Sequence, residues 1–150
     1  MMRGAATRAT VAAAMVAACA VAPAAGQGGE VEGDAIARPL ADTPGDPARG
    51  AALIADRTKS LCLLCHTGPY PSPHAHGDIG PDLSGVGARL SEAQIRLRVA
   101  DMRRLDPESV MPTFLTAGEG ARPAADVRDR PILTAAEIED IVALLAAQKE

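Results

Sequence analysis

Cys62-Leu63-Leu64-Cys65-His66 is the stretch that decides how this chain is read. Two thiols separated by two residues and followed directly by histidine form the attachment pattern of a c-type haem. Each thiol adds across one vinyl group, and the intervening pair spans the distance between the vinyls. The histidine is carried under the ring, where its Nε2 can ligate the iron. A zinc set built from Cys62, Cys65, His74 and His76 is the competing reading. Its C-x-x-C plus H-x-H spacing differs from common zinc sites and leaves His66 without a role.

Upstream, the chain reads as an export signal followed by a linker. Arg3 and Arg8 form a basic head, Val11 to Val21 an apolar stretch too short to span a membrane, and Ala22-Pro23-Ala24-Ala25 a small-residue cleavage region. Residues 1–25 are therefore expected to be a signal peptide and the mature protein periplasmic. Val16-Ala17-Ala18-Cys19 also resembles a lipobox, a reading in which Cys19 becomes a lipidated N-terminus tethered to a membrane. Residues 26–45 carry glycines, Pro39, Pro44 and scattered acids without a sustained apolar period, and are expected to be a mobile or extended linker. The domain then covers 46–150.

Composition agrees with an exported cofactor protein. Of the three cysteines, Cys19 falls in the leader, so Cys62 and Cys65 remain. A disulfide between them would close too short a loop to brace a domain. The formal charge of -4 becomes about two units more negative once Arg3 and Arg8 leave, which argues against nucleic acid as a partner. Tyr70 and Phe114 are the only aromatic residues. So little bulky material suits a core completed by a large apolar cofactor, or else an Ala/Leu/Val-rich helical bundle.

Three helices are predicted and no convincing strand. Asp46 can cap a first helix opened by Pro47, and Gly50 inside it implies close approach by another helix. Ser91-Glu92-Ala93-Gln94 is a capping box, followed by Ile95, Val99 and Met102 on one face. Arg96, Arg98, Arg103 and Arg104 lie mainly off that stripe and are expected on a solvated face, with a docking patch or a contact to haem propionates as the alternative. Thr134-Ala135-Ala136-Glu137 caps a last helix whose apolar face is Ile138, Ile141, Val142 and Leu145. After the leader, only Met102 and Met111 could supply a thioether. Met102 is explained by packing on its helix stripe. Met111 precedes Pro112, which turns it out of helical geometry into a loop, and is the preferred sixth ligand over His74 and His76.

Taken together, these features resemble the class I cytochromes c: helix, C-x-x-C-H, the loop Gly80-Pro81-Asp82-Leu83, helix, Met111-Pro112, terminal helix. Within that group the chain is similar to the SoxX family, the monohaem subunits of SoxAX cytochromes. The strings that carry this are 77–87 (GDIGPDLSGVG), 92–96 (EAQIR), 110–114 (VMPTF) and 131–142 (PILTAAEIEDIV). The likeness is weaker over Ala117 to Arg130. The chain also has Leu144 where the family usually carries an aromatic, which implies a weaker contact between the first and last helices.

The resemblance implies an all-α fold of three main helices around one covalently bound haem c. Cys62 and Cys65 would carry the haem, and His66 and Met111 would be axial to its iron. The Pro81 carbonyl would accept from His66 Nδ1–H, and Leu83 would lie against the ring. It further implies an electron-transfer subunit, without catalytic residues of its own, in L-cysteine S-thiosulfotransferase, the complex that couples thiosulfate oxidatively to a cysteine of the SoxYZ carrier. The partners would be a SoxA-like cytochrome subunit in a heterodimer, SoxYZ through the complex, and a soluble cytochrome acceptor. A free-standing diffusible class I cytochrome c of a respiratory chain is the alternative.

Overall fold

The computed structural model describes residues 1, 29–72, 74–117, 128 and 130–150. The proposed leader, with Arg3, Arg8, Cys19 and the cleavage region, lies outside the described residues, as does most of Ala117 to Arg130. In chain order the described elements are β1 (Val31–Glu32), β2 (Ala35–Ile36), α1 (Pro47–Ala55), α2 (Cys62–Cys65), α3 (Val86–Arg89), α4 (Glu92–Asp101), a 3-10 turn at Met102–Arg104, and α5 (Ala135–Ala147). Three of these are helices of nine residues or more, as the periodicity predicts.

Their ends follow from side-chain chemistry. Asp46 accepts from the amides of Ala48 (2.7 Å) and Arg49 (3.3 Å), with Pro47 in the first turn, where no amide is missed. Ser91 and Gln94 satisfy each other's backbone amides at the start of α4, and Thr134 and Glu137 do the same for α5. The helices bury one another through Ile54, Ile95, Leu97, Ile138, Ile141 and Val142. Gly50 is where α1 meets α5. A Cβ there would sit 2.2 Å from the Asp140 carbonyl oxygen and 3.0 Å from Leu144 Cβ, so only glycine allows the approach. Leu144, in the position where an aromatic was expected, is buried in that contact.

The stretch read as a mobile linker is folded over its second half. β1 and β2 pair antiparallel, Val31 opposite Ile36, around Gly33 at φ +61°. Ile36 is buried. The chain from there to Asp46 is stitched to α5: Leu40 N donates to Glu139 Oε1 (2.9 Å) and Asp46 N to Asp140 Oδ1 (2.7 Å). Two-residue strands leave too little alternation for a sequence pattern to register.

The same segment explains why the expected basic face fails at Arg96. The hairpin packs on α4 beside the apolar stripe, so α4 is buried on two sides. Arg96 is only 3% exposed, donates to Glu139 from Nε (2.7 Å) and Nη2 (3.0 Å), and gives Nη1 to the Ile36 carbonyl (2.9 Å). Arg98 reaches the hairpin tip, bonding the Asp34 carbonyl and carboxylate at 3.1 Å each. Only Arg103 and Arg104 are exposed. A buried guanidinium needs its counter-charge. Glu139→Ala would strand Arg96 and the Leu40 amide together, and we expect it to cost about 3–5 kcal/mol, read as a fall in denaturation midpoint. An unchanged midpoint would show that the strap contributes little.

Candidate cofactor site

A cavity of about 570 Å³ lies between the short α2 and the two long helices α4 and α5. One wall is Cys62, Cys65 and His66; Gly80, Pro81 and Leu83 continue it. Ile95, Arg98 and Val99 of α4, Ile141 and Leu145 of α5, and Phe114 form the body, and Met102, Val110, Met111 and Pro112 complete the lining. The surface is mostly apolar. An apolar cleft of this volume has the size and lining of a small-molecule or cofactor site.

Each donor is placed by local structure. α2 begins after Leu61, whose φ of 61° is left-handed, an arrangement that costs a branched residue roughly 1–2 kcal/mol. One helical turn then sets Cys62 and Cys65 on the cavity as free, half-buried thiols. Burial pushes the Cys62 thiol up, against the opposing effect of its hydrogen bond to Ser60 Oγ at 3.4 Å. His66 caps α2 and lies 2.7 Å from the Pro81 carbonyl through Nδ1. A carbonyl can only accept, so Nδ1 is the donor, and Nε2 is the ring nitrogen left for another partner.

Gly80 holds the ring from the side. A Cβ there would fall 2.4 Å from His66 Cε1, and its amide donates to the Cys65 carbonyl at 2.7 Å. The loop that supplies Pro81 is tied down further by Asp82. Its carboxylate accepts from Ser84 N (2.7 Å) and from Thr67 Oγ1, and these bonds pull its pKa down to about 2. The sequence reading missed this brace, although Asp82-Leu83-Ser84 has the pattern of an Asx turn. It also missed Arg89, which lines the cavity while donating to the carbonyls of Asp82 (3.0 Å) and Ser84 (2.6 Å).

The structure brings the anticipated residues together, with one difference. Cys62, Cys65, His66, Pro81, Leu83 and Met111 all line the cavity, but so does Met102, which was assigned to core packing. α4 ends one residue before it, so Met102 opens the 3-10 turn, yet it lines the cavity together with Ile95 and Val99 of the same stripe. His74 and His76 line no part of the cavity. Among the described residues, no cluster of three or more His, Cys, Asp or Glu side chains could hold a metal ion, so the C-x-x-C plus H-x-H set is not assembled. Two thiols, an imidazole and a thioether on one apolar cavity fit the demands of a covalently held haem. No helix among the described residues is long and apolar enough to cross a membrane.

No protein-family model matches the chain, and no curated protein matches it. Among solved structures it is similar to a chain of the crystal structure of SoxXA from P. pantotrophus, with 32% sequence identity and a TM-score of 0.71. The match covers 78% of this chain and 91% of that one. A short cysteine-bearing helix set against two long ones is compatible with the class I cytochrome c fold, and the likeness makes it a cytochrome subunit of SoxAX type. The chain belongs to the SoxX family.

Proposed function

We propose that this chain is the electron-transfer subunit of a SoxAX complex, which couples thiosulfate oxidatively to a cysteine of SoxYZ. In this reading it takes electrons from a SoxA-like subunit and passes them to a soluble cytochrome. The observation that supports it most is the likeness to the SoxXA chain over nine-tenths of that chain's length. Cys62 and Cys65 would hold one haem c through thioethers, with His66 and Met111 as the ligands of its iron. Bound there, the haem would supply a one-electron couple whose potential a thioether ligand raises.

The residues of the chain do the rest. Pro81 orients the imidazole, and the apolar lining of α4 and α5 excludes water. With Cys62 and Cys65 engaged, no cysteine of the 46–150 domain is left as a nucleophile, so thiosulfate transfer belongs to the complex. Ile79 and Val110, 73% and 80% exposed, flank Gly80 and Met111 and line the cavity's mouth. Apolar side chains so exposed suit a surface covered by a partner, here the SoxA-like subunit. We place the protein in the periplasm, exported by residues 1–25, with its folded domain reaching back to the hairpin at 31–36.

Co-expression with a SoxA-like chain followed by gel filtration tests the assignment. Co-elution is expected, together with thiosulfate-dependent reduction of this haem only when both partner and carrier are present. Full activity as an isolated monomer with an ordinary respiratory donor would overturn it.

A further inference from the structure

We propose that Asp82 is the positioning residue for His66: its carboxylate, clasped by Thr67, holds the Pro81 carbonyl on the imidazole and so sets the donor strength of Nε2. A proline carbonyl has no amide of its own residue to anchor it, so the peptide's orientation depends on what holds the next residue. Asp82 is that residue, and it is held from several sides. Oδ2 accepts from Thr67 Oγ1, Oδ1 from Ser84 N at 2.7 Å, and its carbonyl from Arg89 Nη2 at 3.0 Å. Thr67 directly follows His66, and its carbonyl accepts from Leu83 N at 2.9 Å. Among the described residues, Thr67 to Asp82 is the one side chain-to-side chain hydrogen bond between segments 65–67 and 80–84. It closes a ring of contacts that runs from His66 through Pro81 and Asp82 back to the residue beside His66.

The consequence is electronic. A firm Nδ1–H to carbonyl bond fixes the tautomer and raises the basicity of the ligating nitrogen. Loosening it makes the imidazole a poorer donor, which favours ferrous over ferric iron and raises the potential. Removing the negative charge of Asp82 would raise the potential as well, so geometry and charge must be separated.

Three variants of the haem-loaded protein do this. Thr67→Val keeps the charge and removes the clasp. Asp82→Asn removes the charge and keeps a group that can donate to Thr67 Oγ1 and accept from Ser84. Asp82→Ala removes both. Each is read by the exchange rate of the His66 Nδ1 proton in the ferrous protein by NMR, and by potentiometric titration. We expect Thr67→Val and Asp82→Ala to speed exchange by about tenfold or more, the factor that loss of one hydrogen bond to a charged group corresponds to, and to raise the potential. Asp82→Asn should restore slow exchange.

Unchanged exchange in Thr67→Val and Asp82→Ala would overturn the proposal, as would equal acceleration in all three variants. The potentiometric reading rests on the haem assignment above, and the two fail separately. A purified protein without haem absorbance sinks that assignment, whereas a normal haem with indifferent variants sinks only the role of Asp82.

Discussion

Replacing both Cys62 and Cys65 by alanine is expected to remove covalent haem and to take most of the fold with it. The size of the cavity sets the scale. The cavity of about 570 Å³ is lined mostly by apolar side chains, which would face water without the haem. A domain has only about 5–15 kcal/mol of net stability to lose. Relaxation would close part of the space, but α4, α5 and the Phe114 region all face it and cannot collapse together without losing their packing on one another. Haem staining on a denaturing gel should vanish, and helicity and the melting transition should fall with it. A double variant as helical and heat-stable as the parent would show that the polypeptide alone makes the core. The single variants should fall between, each retaining one attachment point.

Met111→Ala is expected to keep the haem attached while changing what faces the iron. The thioether-to-iron charge-transfer band should disappear, and the potential should fall by on the order of 100 mV, within the roughly 0.8 V over which axial ligands act. Met102→Leu should leave both unchanged. The comparison is informative because both sulfurs line the same cavity. Met102 is fixed at the end of α4, next to Asp101, whose carboxylate caps the 3-10 turn. Met111 sits in a loop before Pro112, where an extended backbone can aim the side chain inward. Loss of the band in Met102→Leu, with Met111→Ala unaffected, would reverse the assignment.

What the sequence discloses depends on how local the cause is. The caps at Asp46, Ser91 and Thr134 are written within four residues of each helix start, and all three helices begin where those residues say. Gly50 announced a close helix contact because glycine inside a helix calls for a reason, and α5 provides it. The Pro81 carbonyl at His66 was foreseen from the resemblance. Arg96 was misread because its burial depends on the hairpin from 31 to 36, more than fifty residues earlier in the chain, and on Glu139, 43 residues later. No window around α4 contains either. Met102 shares its stripe with Ile95 and Val99, and all three line the cavity: helical periodicity marks an inward face but does not tell a packed core from a cofactor cavity. The Asp82 brace was legible as an Asx turn, but its link to Thr67 is a tertiary contact.

The strap over residues 36–46 has a consequence for the order in which the molecule is assembled. Its amides at Leu40 and Asp46 donate to Glu139 and Asp140, and Leu40 and Glu139 are 99 residues apart. A chain that emerges N-terminus first can pair Ile36 once α4 has been made, but Leu40 and Asp46 find no partner until almost the last residues have been delivered. α1 waits as well, since its glycine face is shaped for α5. Through most of synthesis these contacts therefore stay unmade, because long-range closure must come before they can form. Cys62 and Cys65 remain open to solvent over that interval, and the arrival of the final helix shuts the cavity around whatever they have acquired.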